Sequence, residues 1–126
     1  MALSLIVRFA FLKIENKEIM KKIIFTTTEL IPDRKTVEIL GVARGSTVRA
    51  RHIGRDIVAT LKNIVGGEIE EYTKLQAESR EQAIERMLED ADKLGADAVV
   101  GVRMMTSMVA QGAAEILVYG TAVKLK

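Results

Sequence analysis

There is no cysteine in the 126 residues, which removes disulfides, thiolate metal sites and thiol nucleophiles, and fits a reducing compartment. Tryptophan is absent as well, and three Phe plus two Tyr make up only 4% of the chain. Stacking platforms for exposed bases or sugars are therefore scarce. A charge excess is also missing: 19 Lys and Arg against 17 Asp and Glu leave +2, too even a balance to point to nucleic acid. With a single proline and no repeat or low-complexity linker, the length is that of one domain around one core. No apolar run is long enough to cross a bilayer. The greasiest stretch, Leu3 to Leu12 (LSLIVRFAFL), is about half the length of a spanning helix and carries Arg8 in its middle. It also lacks the basic start and small-residue cleavage site of a signal peptide. The expectation is a cytoplasmic chain with no membrane contact.

What is present is an ordinary globular mixture, 48% hydrophobic and 29% charged. In the N-terminal arm Leu3, Leu5, Val7, Phe9 and Phe11 alternate with Ser4, Ile6, Arg8 and Ala10, the period of a strand that could pair with a sheet edge. Ile23 to Thr28 reads as a brief strand before the Pro32-Asp33 turn, and Thr36 to Arg44 as a strand with a bulge at Gly41 and a break at Gly45-Ser46. Asp56 to Val65 has apolar residues at helical spacing. After Gly66-Gly67, Glu68 to Leu94 reads as a longer helix with a stripe of Ala77, Ile84, Met87, Leu88, Ala91 and Leu94. Ser79 and Gln82 fit a capping box at which it begins or kinks, and Gly95 fits its C-cap. Ala96 to Met108 and Glu115 to Leu125 form a hairpin through Gln111-Gly112.

This order predicts an α+β fold: a two-layer domain with an antiparallel sheet and helices on one face. Both faces of the last two strands are apolar. Ala96, Ala98, Val100, Val102 and Met104 point one way, yet Val99, Gly101 and Met105 are nearly as apolar; Ile116, Val118, Gly120 and Ala122 are backed by Leu117, Tyr119, Val123 and Leu125. Helices cover one face only, and soluble monomers rarely leave the other bare. Burying about 400 Å² of it represents roughly 10 kcal/mol gross, so self-association is expected, with a folded-back N-terminal arm as the competing cover.

The blocks TTTEL (26–30), LGVARGSTV (40–48), DIVATLKNIVGGEIEEY (56–72), LGADAVVGVR (94–103) and YGTAV (119–123) resemble, in order and spacing, the YbjQ-like family. The likeness spans about residues 20–126, giving a single YbjQ-like domain and leaving 1–19 as an N-terminal extension, read as an extra strand. It implies a dodecin-like subunit in a ring-shaped homo-oligomer, a pentamer, and a family label of heavy-metal binding. Heavy metals favour thiolate, thioether and imidazole donors.

Candidate sites are few. His52 and Asp56, four apart, offer one nitrogen and one carboxylate to a metal, too few for a closed site unless neighbouring copies add theirs. Met104, Met105 and Met108 read as core packing. Arg44, Arg49, Arg51 and Arg55 form the one basic cluster, best read as a solvated loop without aromatic interleaving. Thr27, Thr28 and Glu29, with Tyr72, Tyr119 and Thr121, are candidates for a pocket between copies, although threonines equally suit turns. Glu71, Tyr72 and Glu115 would supply a carboxylate–phenol pair to an enzyme, the alternative to a non-enzymatic binding protein. No cofactor is specified.

Overall fold

Ala2–Lys22 is a helix, α1. The strand expected from the alternation in the arm is replaced because the segment contains neither Gly nor Pro, is apolar on every side, and has no neighbouring strand to complete a ladder. The computed structural model describes residues 2–50 and 70–126; the expected helix over 56–65 and the Gly66-Gly67 interruption lie outside them. After α1 come β1 (Ile24–Phe25), β2 (Thr36–Ala50), α2 (Glu70–Lys93), β3 (Ala98–Ala110) and β4 (Ala113–Leu125).

The fold is α+β, with a four-stranded sheet in the order β1-β3-β4-β2. β2 and β3 flank β4 in antiparallel ladders. The sheet is mixed, however, not purely antiparallel: β1 runs parallel to β3, pairing Ile24 with Ala98 and Phe25 with Val99. The expected strand over 23–28 shortens because the chain enters a turn after Phe25, in which Thr26 and Thr28 bond to each other and Thr28 bonds to Leu30 O.

Gly95, at φ 79°, ends α2 as expected. Its N–H donates to Asp92 O at 2.9 Å while the Ala96 N–H reaches Ala91 O at 3.0 Å, the paired bonds of a Schellman cap. The Ser79–Gln82 box starts nothing, since α2 runs through it and Ser79 is buried. The buried face of α2 is Ser79, Ala83, Ile84, Met87, Leu88 and Ala91, whereas Leu94 is exposed and Ala77 only half-buried.

Gly45-Ser46 does not break β2; the strand continues to Ala50. Gly45 is there because α2 lies directly on it: a Cβ would overlap the backbone O of Ala83 and N of Met87. Its row neighbours Ala43 and Thr47 face the same way, and their partners on β4 are Gly120 and Ile116. With Val99, Val102, Val118 and Ala122 they complete the core beneath α2.

Val102 belongs to this face, not to that of Ala98 and Val100 as simple alternation predicts. The register of β3 shifts between Val100 and Arg103, where Gly101 takes φ 61°, and this bulge reverses the alternation. The second bulge, expected at Gly41, is present at φ 139° with a register shift from Ile39.

The other face of the sheet, here called the outer face, carries a small cluster of Ala98, Val100 and Val123 covered by Ile31 and Leu125. The rest is not covered by the N-terminal arm. α1 leans instead on the α2 side, where Ile19 packs against the main core.

Candidate functional site

Directly paired residues on neighbouring strands share a face, so the ladders define what the outer face presents. Tyr119 of β4 pairs with Arg44 on β2 and with Arg103 on β3. Three strands thus align a phenol between two guanidinium-bearing residues. The next row down the sheet is Val42, Thr121 and Val100; the next row up is Ser46, Leu117 and Met105. Two expected site residues, Tyr119 and Thr121, are therefore neighbours on one surface.

The threonine segment is tied to the same row. Arg103 Nη1 donates to Thr27 O at 3.0 Å and to its neighbour Val102 O at 2.9 Å. The segment is held further by the bulge, whose Gly101 and Val102 N–H groups donate to Thr28 O at 2.8 Å and Thr26 O at 3.0 Å. Thr28 Oγ1 gives its proton to Leu30 O at 2.8 Å and sits 2.9 Å from Thr26 Oγ1, which donates to it. These hydroxyls close a turn, the simpler of their two expected uses. Glu29 is exposed beside them.

Arg103 is thereby fixed in place by backbone carbonyls. Arg44 is anchored by its backbone, whose N–H donates to Asp90 Oδ2 at 3.0 Å. Among the described residues the one ion pair is Lys124–Asp97 at 3.8 Å, so neither guanidinium of the row is matched by a carboxylate there. Around it the outer face exposes aliphatic residues: Ile39 at 72%, Val42 at 62%, and Val48 and Met105 each at 56%.

Other expected groupings separate. Arg44 and Arg49 are strand residues on opposite faces, not parts of a solvated loop: Arg49 turns to α2, donating from Nε to Ser79 Oγ at 3.1 Å and from Nη2 to Gln82 Oε1 at 3.0 Å. Arg51 and Arg55 lie outside the described residues. Glu71 and Tyr72 belong to the first turn of α2, whereas Glu115 and Tyr119 stand on β4. A cleft of about 420 Å³ between the hairpin end and the start of α2 has Arg49, Leu75, Gln76, Thr106 and Met108 in its wall.

The metal candidates His52 and Asp56 also lie outside the described residues. Among those described, no three His, Cys, Asp or Glu side chains come together as a metal cluster. The thioethers do not replace them. Met104, Met105 and Met108 are exposed, not core filling, because α2 lies over β2 and β4 and leaves the far half of β3 uncovered. Met104 and Met105 point to opposite faces. The described donor set does not fit a soft metal.

Residues 23–126 match the family described as "YbjQ_1: Putative heavy-metal-binding". The chain belongs to this family. Relatives named UPF0145 protein include one from Archaeoglobus fulgidus, 61% identical over 106 residues that cover 84% of this chain and 98% of the relative. Another, from Thermus thermophilus, is 54% identical over 105 residues, covering 83% and 92%. A crystal structure of a protein of unknown function of the DUF74 family, from Pediococcus pentosaceus, shares the fold at a TM-score of 0.55 and 16% identity, covering 82% of this chain and 98% of that one. The family match begins at Ile23 and leaves α1 outside it.

Sequence reasoning missed Arg103 as a site residue. Its signal was the bulge: only when Gly101 reverses the alternation does Arg103 join Tyr119 on the outer face.

Proposed function

We propose that the chain is a non-enzymatic, self-associating binding protein of the cytoplasm, whose copies meet through the outer sheet face and hold a small anionic molecule at the Arg44–Tyr119–Arg103 row. The observation that carries this reading is the setting of the row, two arginines flanking a phenol in the middle of an exposed aliphatic surface. Aliphatic residues exposed together on one face favour burial against a like surface. Covering the row with a second copy desolvates both guanidiniums, and buried cations without a partner are costly. An anion resolves that cost, and a planar guanidinium binds carboxylate or phosphate in bidentate fashion. A ring of five dodecin-like subunits, the assembly implied by the sequence resemblance, is the form of association proposed.

Sedimentation equilibrium at micromolar concentration tests the assembly. The expected result is a discrete oligomer that the double variant Val42→Lys/Val48→Lys converts to monomer with unchanged circular dichroism; a monomeric wild type overturns it. Titration calorimetry with citrate and inorganic phosphate tests the site. Arg44→Ala should weaken binding about tenfold, in line with about 1.4 kcal/mol for a charged hydrogen bond, and indifference of the wild type to both anions overturns the ligand.

A further inference from the structure

The helix α1 carries a surface that neither the core nor the outer face uses. It is fastened at its base: Ile19 packs on the core, and Glu15, Glu18, Ile19 and Lys22 gather against Asp92 of α2. Beyond that base, Leu5 is 67% exposed and Ile6 66%, with Val7, Phe11, Leu12 and Ile14 all more than half exposed. At about 100° per residue these six fall on every side of the helix, with no gap wider than about 100°. A helix that packs on a partner helix buries one stripe and keeps the opposite side polar. This one has no polar side to keep.

A helix that is apolar all round needs a medium that surrounds it. Ala2 to Leu12 is 11 residues, about 16 Å of helix, close to half of a hydrocarbon core about 30 Å thick. Consistently, among the described residues no helix is long and apolar enough to cross a membrane. The one ionisable residue within that length, Arg8, lies about 6 Å below Leu12, within reach of the interface for a long side chain. Where the apolar length ends, charge begins: Lys13, Lys17, Lys21 and Lys22 against Glu15 and Glu18, a net positive collar at the depth of lipid headgroups.

We infer that α1 anchors the protein to an anionic lipid surface, its first three turns entering one leaflet and its lysines meeting the headgroups. The shared domain lies outside the anchor, since the family match starts where α1 ends. The expectation of no membrane contact rested on an apolar run about half the length of a spanning helix with Arg8 in its middle; entry into a single leaflet requires only that half length.

Because the chain contains no tryptophan, Phe11→Trp provides a single reporter. Mixed with vesicles of phosphatidylcholine containing 30% phosphatidylglycerol, this variant should show a blue-shifted emission, and wild-type protein should co-sediment with the vesicles. Pure phosphatidylcholine vesicles should retain less protein. Leu5→Glu/Phe11→Glu, at exposed positions that leave the core intact, should lower the bound fraction at least tenfold. Wild type remaining in the supernatant with both vesicle types, with no spectral shift, overturns the inference. So does a lipid-free oligomer that Leu5→Glu/Phe11→Glu dissociates, since the apolar tip would then be packed against tips of other copies.

Discussion

Single residues set the closeness of the two layers. Gly45 admits the backbone of α2 to the surface of β2, and Gly45→Ala should cost about 3 kcal/mol by overpacking, or roughly 10 °C in melting temperature for a domain of this size, measured by thermal denaturation. Gly120 answers it on the next strand, where a Cβ would stand 2.6 Å from Val99 Cγ1. Asp97 closes the sheet end: its Oδ2 accepts the Leu125 N–H at 3.0 Å, and Lys124 lies nearby. That hydrogen bond first, and then the charges of Lys124, Arg34 and Lys22, hold its pKa below the ordinary 3.8. A carboxylate with a lowered folded-state pKa adds stability that is complete above the ordinary value and is lost as pH falls through the lowered one. Asp97→Asn should therefore lower the melting temperature at neutral pH, and the difference from wild type should vanish in acid well below pH 3.8.

At the scale of elements, the contact between α2 and β2 is polar at its margins and apolar in its centre. Thr47 Oγ1 donates to Ser79 O at 3.1 Å inside the core. On the other margin, Arg86 Nη1 donates to Ser46 O at 2.6 Å, and Asp90 takes the Arg44 N–H. β2 is an edge strand, and these two side chains occupy backbone groups that an incoming strand would use. Arg86→Ala/Asp90→Ala should cost about 2 kcal/mol, two hydrogen bonds, and raise the rate of aggregation seen by light scattering. An increase in rate no larger than that of an equally destabilised core variant would show that the edge plays no part. The helical stripe and the C-cap were legible in the sequence; the burial of Ser79, read there as a cap, and of Ala83 was not, because a serine and a small alanine look like surface until Gly45 brings a strand against them.

For the whole molecule, the decisive feature is that, among the described residues, one sheet face is filled by α2 and the other only at one end, by Ile31 and Leu125. The two-sided apolar pattern of β3 and β4 was visible in the sequence, and so was the family likeness over the domain. The candidate site was half legible. Tyr119 and Thr121 lie on it, Thr27 and Thr28 support it through a turn, and Arg44 and Arg103 complete it only through cross-strand register. If the row is a binding site within an assembly, Arg44→Ala should leave the oligomer intact while abolishing the anion's stabilisation of it, a change in melting temperature with added citrate that the wild type shows and the variant lacks.

Local pattern alone determined the class of fold, the hairpin through Gln111-Gly112, the glycine that ends α2 and the bulge at Gly41, because each depends on the backbone preferences of a few neighbouring residues. Tertiary structure decided the rest. It made α1 a helix because no strand stood beside it, made Gly45 a contact and not a break because a helix lies on it, and aligned Arg44, Tyr119 and Arg103 through the register of three strands. Such choices belong to contacts between residues far apart in the chain, which spacing along the sequence does not encode.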